Sequence, residues 1–160
     1  MKLIAFRPIL VVSPIAWVTA LGLATVIASR PIAGVAAYGL SAAVYEVGSL
    51  LCHQLPERSF HFRGAQLPVC ARCVGLYLGA ATAAIGVAGM RRFGQRRIWD
   101  RARVLLFIGA APTAVTLIYE WFSGHMPSHW IRAAAGFPLG AIVMLIILAA
   151  ATSESAVEIH

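Results

Sequence analysis

Five long apolar runs, separated by short polar segments, dominate the pattern of this chain. Each run has about the 20 residues that an α-helix needs to cross a hydrocarbon layer. The pattern therefore predicts helices at about 9–29, 31–51, 68–90, 104–122 and 130–152. The expected fold class is all-α: a polytopic integral membrane helical bundle with four or five transmembrane helices, in a single membrane domain, 1–160.

The second apolar run, 31–51, is the least clear of the five. It is rich in Ala and Gly and contains Glu46, so it is less hydrophobic than the first run. Such a segment either spans the bilayer or forms a re-entrant or interfacial helix packed against its neighbours. The helix count therefore stays at four or five.

Composition places the chain in a membrane. Only 12% of the residues are charged and 60% are hydrophobic, whereas a soluble domain carries about 25% charged residues. We therefore expect a multi-pass protein of the cell membrane whose main partner is the lipid bilayer. The net charge of +7 does not indicate nucleic acid, because six of the thirteen basic residues lie in the segment 91–103, beside an apolar run. Such clusters usually fix membrane orientation, so no nucleic-acid partner is expected.

The same arginines predict the topology. By the positive-inside rule the Arg-rich loop 91–103 is cytoplasmic, which puts the polar motif loop 52–68 and the turn 123–130 on the outer, periplasmic or extracellular, face. Two arrangements satisfy this condition. Either five helices span and the N-terminus is outside, or the segment 31–51 does not cross and the N-terminus is inside.

All three cysteines lie in or just after the motif loop. Cys70 and Cys73 form a C-x-x-C pair at a predicted helix N-terminus, where free amides and the positive helix end favour the thiolate. Three cysteines and one histidine are a normal tetrahedral zinc set. We therefore expect a metal site, with Zn²⁺ as its cofactor, built from Cys52, Cys70 and Cys73. The fourth ligand has three histidine candidates: His53, His125 and His129.

Two other interpretations of the cysteines stay open. In thiol–disulfide exchange, Cys70 and Cys73 would be the redox pair and Cys52 would form the mixed disulfide, with a quinone as the electron acceptor. Such a protein normally has a second cysteine pair, and this chain has one further cysteine. Alternatively, the three are small buried hydrophobic residues.

Ionisable residues near apolar segments supply the other candidates. Glu46 and Glu120 lie near the outer ends of their predicted helices and are the candidate catalytic residues for proton transfer. Pairing with arginines or contact with lipid headgroups is the alternative for both. The arginines Arg58, Arg72 and Arg132 are candidates for binding an anionic substrate or lipid group.

These residues predict where the site lies but do not identify the reaction that it serves. The leading hypothesis is an outward-facing Cys/His metal site that serves a metal-dependent membrane-interface enzyme or a small-solute transporter. The alternatives are a membrane thiol–disulfide oxidoreductase and an accessory subunit of a larger membrane complex with a structural metal. Whether the protein is an enzyme stays open, and partners beyond lipid would be other membrane subunits or further copies of the chain.

A G-x-x-L-G-A pattern occurs twice, beginning at Gly75 and at Gly136, and an arginine precedes each copy. A Tyr-Glu pair precedes each of the two outer loops, at 45–46 and 119–120. The two units would share orientation, as in a parallel repeat. The Gly-x3-Gly spacing also predicts close packing of membrane helices.

The motif loop and the residues after it resemble the signature of a family of small predicted membrane proteins of bacteria and archaea. The resemblance rests on Cys52-His53-Gln54-Leu55-Pro56-Glu57-Arg58-Ser59-Phe60, Gly64, Pro68-Val69-Cys70-Ala71-Arg72-Cys73, Gly75, Tyr77 and Gly79. Arg132, Gly136 and Gly140 resemble a pattern on the family's last helix, whereas the segment 123–125 and Trp130 depart from it. That family carries only a domain-of-unknown-function label. The resemblance therefore implies a polytopic membrane protein with a Cys/His motif and supplies no activity.

Overall fold

A computed structural model describes residues 6–31, 34–89, 98 and 100–157 of the chain. Within these ranges the chain forms five helices of at least 17 residues and a two-stranded β-hairpin. The helical membrane bundle expected from the apolar runs is therefore confirmed. The helices are α1 (Phe6–Ala28), α2 (Val35–Leu51), α3 (Ala71–Ala88), α4 (Ala102–Ser123) and α5 (His129–Val157). Most of the predicted cytoplasmic loop 91–103 lies outside the described residues.

Four of these helices contain segments long and apolar enough to cross a membrane. They are Pro8–Ala28, Ala71–Ala88, Ala102–Ser123 and His129–Ala151. Helix α2 is apolar and has 17 residues, one fewer than α3, so its length alone does not decide whether it crosses the bilayer.

Helices α1 and α3 run antiparallel. Leu10 and Val11, early in α1, pack against a buried cluster that includes Ala84 and Val87, late in α3. Further along α1, the ring of Trp17 contacts that of Tyr77, near the start of α3, with centroids 6.1 Å apart. The chain between α1 and α3 must therefore leave and re-enter the bundle at the same end. This agrees with the four-span arrangement, in which the segment 31–51 does not cross.

Helices α3 and α5 form the closest helix pair, through four glycines. A Cβ atom on Gly75 would overlap the carbonyl of Ala133, and one on Gly136 would overlap the carbonyl of Arg72. One turn further along, Gly79 meets Phe137 and Gly140 meets Leu76 in the same way, so the helices are parallel. Gly75 and Gly136 make equivalent contacts on opposite helices, and so do Gly79 and Gly140. A two-fold rotation that exchanges α3 with α5 therefore exchanges the two glycines of each pair. The repeated G-x-x-L-G-A segments therefore pack around a local pseudo-two-fold axis, as small-residue motifs do in membranes.

The β-hairpin corrects one predicted boundary. The sequence predicts a helix over 68–90 because Pro68 is a favoured residue at a helix start. Instead Ala65–Cys70 forms strand β2, which pairs antiparallel with strand β1, Ser59–Phe62. Helix α3 begins only at Ala71, with Cys70 as its N-cap in extended conformation. Strand pairing, a tertiary contact, overrides the local preference of the proline.

The hairpin turn explains how the motif loop doubles back. Arg63 and Gly64 both have positive φ, 50° and 83°, as the two central residues of a type I′ turn require. A short 3₁₀ turn at Pro56–Arg58 leads into β1. The loop 52–68 is therefore an ordered structure over the end of the bundle, which we call the hairpin end.

Large apolar side chains cover the outer faces of the helices. Phe107, Trp121, Phe122 and Trp130 are each at least 77% exposed, far more than a protein dissolved in water tolerates as a continuous surface. Lipid is the solvent that suits these faces. The structure thus agrees with the class of protein predicted from composition, a multi-pass membrane protein.

Candidate metal centre

The three cysteines meet at the hairpin end of the bundle. Cys52 follows α2, Cys70 ends β2, and Cys73 lies in the first turn of α3. Their sulfur atoms all lie within 4.8 Å of one another. All three are free thiols and half-buried. The sequence prediction that three cysteines distant along the chain form one cluster therefore matches the geometry.

Hydrogen bonds to sulfur give the cluster its internal order. The Cys70 and Cys73 sulfurs are hydrogen-bonded at 3.5 Å, and the backbone N–H of Cys70 donates to the Cys52 sulfur at 3.3 Å. The hydrogen bond with Cys73 lowers the pKa of the Cys70 thiol to about 5, against the opposing effect of burial. The lowered pKa of Cys70 favours its thiolate, the form of cysteine that binds metals and attacks disulfides.

The side chain of Gln54 holds Cys52 close to Cys70. Its amide nitrogen donates to the carbonyl of Tyr45 in α2 and to that of Pro68 in β2, each at 2.7 Å. Gln54 itself has a positive φ of 48°, which turns the chain sharply after Cys52. One amide group therefore ties the end of α2 to the strand that carries Cys70.

A second layer of hydrogen bonds fixes the hairpin against α2. The Gln66 amide donates to the Gln54 carbonyl and to the hydroxyl of Ser59. The Ser59 hydroxyl, fully buried, donates to the Leu55 carbonyl at 3.0 Å, and the Tyr45 hydroxyl donates to the Gln66 carbonyl. From the sequence, Gln54 and Ser59 had no role beyond hydrogen bonds that support the metal ligands, and Gln66 had none. A polar residue such as Gln54, two positions after a candidate ligand, was the signal that could have found them, since metal ligands are commonly oriented by hydrogen-bonded neighbours.

The predicted histidine ligands do not join the cysteines. Among the described residues, the group that could hold a metal contains the three cysteines and no histidine. His53 is exposed, because Cys52 is extended (φ −150°, ψ 140°) and successive side chains on extended backbone point to opposite sides. His125 is exposed, and its Nδ1 lies 2.8 Å from the Ser123 carbonyl oxygen. His129 instead packs its ring against Phe60 of the hairpin, with centroids 5.6 Å apart.

A second polar cluster lies one residue away from Cys73. Arg72 donates from Nη2 to Oε1 of Glu120 at 2.8 Å and to the hydroxyl of Thr116 at 3.3 Å. Arg132 approaches the same carboxylate oxygen, with Nε at 3.3 Å. Helices α3, α4 and α5 thus each contribute one charged residue to an ion-paired group, which we call the Arg–Glu–Arg cluster.

This cluster shows the pairing that was the alternative to catalysis for Glu120. Both guanidinium groups lie within ion-pair distance of the same Glu120 carboxylate oxygen. The other candidate, Glu46, is exposed on α2. Arg58 lies in the 3₁₀ turn, away from the ion pairs of the cluster, and its buried Nε has no hydrogen-bond partner in the described part of the chain.

Comparisons with known proteins give the family and no activity. The sequence profile of a family described as "Predicted membrane protein (DUF2085)" matches residues 52–146. An uncharacterised protein of Methanocaldococcus jannaschii is 32% identical over 109 residues, which cover 68% of this chain and 69% of that protein. An uncharacterised protein of Methanothermobacter thermautotrophicus is 62% identical over 32 residues, 20% of this chain and 29% of that protein. No solved structure matches the chain. The match from the motif loop to the last helix places the chain in the DUF2085 family of predicted membrane proteins.

Proposed function

We propose that the protein binds a metal ion, most simply Zn²⁺, with the thiolates of Cys52, Cys70 and Cys73 at a membrane surface. The observation that carries the proposal is the convergence of three sulfur atoms within 4.8 Å. Tetrahedral zinc with Zn–S bonds of about 2.3 Å separates its sulfurs by about 3.8 Å. The hydrogen-bonded pair, at 3.5 Å, is close to that value, so a small adjustment would complete the site.

The hydrogen bonds around the three cysteines also support a metal site, because they fix the positions of the sulfur atoms. The backbone N–H of Cys70 donates to the Cys52 sulfur, an interaction that stabilises a thiolate ligand. Gln54, Gln66 and Ser59 hold the backbone on both sides of the cluster by hydrogen bonds. Ligands oriented by such partners bind metal more tightly than free side chains do.

Three protein ligands leave a fourth coordination position. Within the described chain no histidine or carboxylate completes the set, so water, a substrate or a ligand from another chain would occupy that position. Catalytic zinc sites have this form, three protein ligands and one open position. We therefore favour a role in chemistry or solute binding at the bilayer surface over a closed structural site.

The site would face the outside of the cell. The Arg-rich loop 91–103 and the N-terminus carry the basic residues that mark the cytoplasmic side. Antiparallel packing of α1 on α3 puts the start of α1 level with the end of α3, at the end of the bundle opposite the hairpin. Both basic segments would then be cytoplasmic and the cysteines would be outside.

Metal analysis of the purified protein tests the proposal. Protein in detergent should contain about one zinc per chain, and its three thiols should resist alkylation until a chelator removes the metal. Cys52→Ser, Cys70→Ser and Cys73→Ser should each lose most of the zinc, whereas His53→Ala, at an exposed neighbour of Cys52, should keep it. Wild-type protein with three reactive thiols and no metal after zinc is supplied would contradict the proposal.

The approach of two sulfurs favours a second candidate function, thiol–disulfide exchange. Cys70 and Cys73 lie 3.5 Å apart at the N-terminus of a helix. Oxidation would join the two sulfurs in one bond and pass two electrons and two protons to a quinone, which leaves as the quinol. Cys52, within 4.8 Å of both, could instead attack a disulfide of a substrate protein, which forms the mixed disulfide and releases the second sulfur of that disulfide as a thiol.

The redox candidate makes a different prediction for the same sample. Metal-free protein should lose two thiols on addition of a soluble quinone and regain them on reduction. Cys73→Ser should abolish this cycle, and Cys52→Ser should leave it intact. Bound zinc that a quinone does not displace would favour the metal site over this alternative.

A further inference from the structure

The Arg–Glu–Arg cluster carries one more positive charge than negative charge. Arg72 and Arg132 both pair with Oε1 of Glu120, at 2.8 and 3.3 Å. Those are the ion pairs that either arginine makes within the described residues. Two guanidinium groups and one carboxylate leave a formal charge of +1.

This excess charge lies where it is costly. Arg132 is 1% exposed and heads the set of largest fully buried side chains. The Glu120 side chain is 9% exposed. An unneutralised charge away from water loses several kcal/mol of hydration free energy, and ionisable residues inside membrane segments normally have partners. The fold therefore holds a cation that its described side chains do not fully neutralise.

Unused hydrogen-bond donors accompany the unused charge. The Nε atoms of Arg72 and Arg132 are buried and have no hydrogen-bond partner in the described part of the chain. Arg132 approaches Glu120 within ion-pair distance, but not in hydrogen-bonding geometry. Buried donors without a partner are rare in folded proteins and call for a ligand, water or ion.

A ligand would reach the cluster from the side of Arg72, its most exposed member. The Arg72 side chain keeps 16% of its surface exposed and lies in the first turn of a membrane span. Arg132 lies in the first turns of α5, and Glu120 lies in the last turn of α4. All three are therefore near one surface of the bilayer, at the level where phospholipid headgroups lie.

We propose that the Arg–Glu–Arg cluster binds a singly charged phosphodiester, in which Arg72 and Arg132 contact the phosphate oxygens. Planar guanidinium groups present paired N–H donors that match the oxygens of a phosphate. One negative charge neutralises the cluster. A phospholipid headgroup and a small soluble ester share this chemistry. The site does not depend on the cysteines, so it stands whether or not the protein binds zinc.

A series of charges tests the proposal without removing Arg132, whose loss could unfold the protein. Arg72→Gln lowers the cluster charge to zero and Glu120→Gln raises it to +2. Arg103→Gln is the matched control, because it removes the same charge at an exposed position of α4. The measured quantity is the thermal unfolding midpoint in neutral detergent, titrated separately with dimethyl phosphate and with phosphatidylglycerol, and with diacylglycerol as the control lipid that has no phosphate.

Binding should follow the charge of the cluster. Relative to wild type, we expect an apparent affinity at least tenfold weaker in Arg72→Gln, at least tenfold tighter in Glu120→Gln and unchanged in Arg103→Gln. A response to phosphatidylglycerol alone identifies a lipid headgroup, and a response to dimethyl phosphate identifies a soluble ester. No response to either compound, or equal affinity in all four proteins, overturns the proposal. Zinc content measured on the same samples reports separately on the cysteine site.

Discussion

Gln54 shows how much a single side chain contributes to the cysteine cluster. Its amide nitrogen satisfies two backbone carbonyls, those of Tyr45 and Pro68. Replacing it leaves both acceptors without this donor, at a cost of about 1–3 kcal/mol for a buried group. The strand that carries Cys70 would then lose its hydrogen bonds with the Gln54 side chain and be held less firmly beside Cys52.

We therefore predict that Gln54→Leu weakens metal binding while leaving all three cysteines in place. Loss of a hydrogen bond that orients metal ligands typically lowers affinity by about 10–100-fold, and a competition titration with a zinc chelator measures this change. His53→Ala, one residue away and exposed, should bind zinc as wild type does. Equal zinc affinity in Gln54→Leu and wild type would show that the cysteine cluster does not need the hydrogen bonds of the Gln54 side chain.

Glu120 permits a second prediction at this scale. Glu120→Gln removes the anion that Arg72 and the buried Arg132 share, so we expect a loss of about 3–5 kcal/mol in the free energy of unfolding. Glu46→Gln, the same change on an exposed helix face, should change it by less than about 0.5 kcal/mol. Equilibrium unfolding in mixed detergent, without added phosphate esters, gives both values. Similar losses in the two variants would mean that the ion pairs contribute no specific stability.

The sequence predicted the cysteines of the site better than its histidines. The C-x-x-C spacing of Cys70 and Cys73, with Cys52 at the other end of the motif loop, is a pattern that residue type alone reveals. The direction of His53 depends on one backbone conformation, the extended geometry of Cys52, which residue type does not reveal. The partners of Glu120 likewise depend on how three helices meet.

At the scale of elements, the α3–α5 contact is the part of the fold that the sequence states most directly. Gly75, Gly79, Gly136 and Gly140 are spaced four residues apart on each helix, and all four lie against the backbone of the opposite helix. Without a strong hydrophobic effect between helices in lipid, this close approach supplies the van der Waals contact that holds them together.

We predict that Gly75→Ala destabilises the bundle, whereas Gly86→Ala on the same helix does not. A methyl group on Gly75 would overlap the Ala133 carbonyl, so the helices must separate, at about 1–3 kcal/mol or more. Nothing lies within 4 Å of the position a methyl group would take on Gly86, and Ala is the better helix former. Unfolding midpoints of the two variants in the same detergent compare these effects. A Gly75 variant as stable as wild type would mean that α3 and α5 are not held by this contact.

The hairpin is the element that the sequence did not predict. Residues 59–70 contain Pro, Gly and charged side chains, and Pro68 favours a helix start. The strands pair Ser59 with Cys70 and His61 with Gln66, and β2 packs against α2 and the side chain of Gln54 at Pro68. Local preference therefore predicts a helix start at Pro68, three residues before the start at Ala71 that the tertiary contacts produce.

On the scale of the whole molecule, the two ends of the bundle differ in chemistry. The hairpin end holds the cysteine cluster and the Arg–Glu–Arg cluster, and the loop 91–103 holds six arginines. Hydropathy alone left the path of the segment 31–51 open, because α2 is apolar but 17 residues long. The direction of α1 relative to α3 favours the four-span path, and packing of side chains such as Leu10 and Trp17 defines that direction.

The four-span arrangement makes a direct prediction about which segments lie on the same side. Antiparallel α1 and α3 require the N-terminus and the loop 91–103 to share one face and the turn Arg63–Gly64 to lie on the other. Protease sites placed singly at these three positions in intact spheroplasts should be cleaved by external protease only at the hairpin turn. The other two should be cleaved only after the membrane is permeabilised. External cleavage at both the N-terminus and the turn would mean that α2 crosses the bilayer, in conflict with the observed packing of α1. External cleavage at the loop 91–103, with the turn protected, would reverse the proposed orientation and put the cysteine cluster in the cytoplasm, where free thiols persist and structural disulfides are rare.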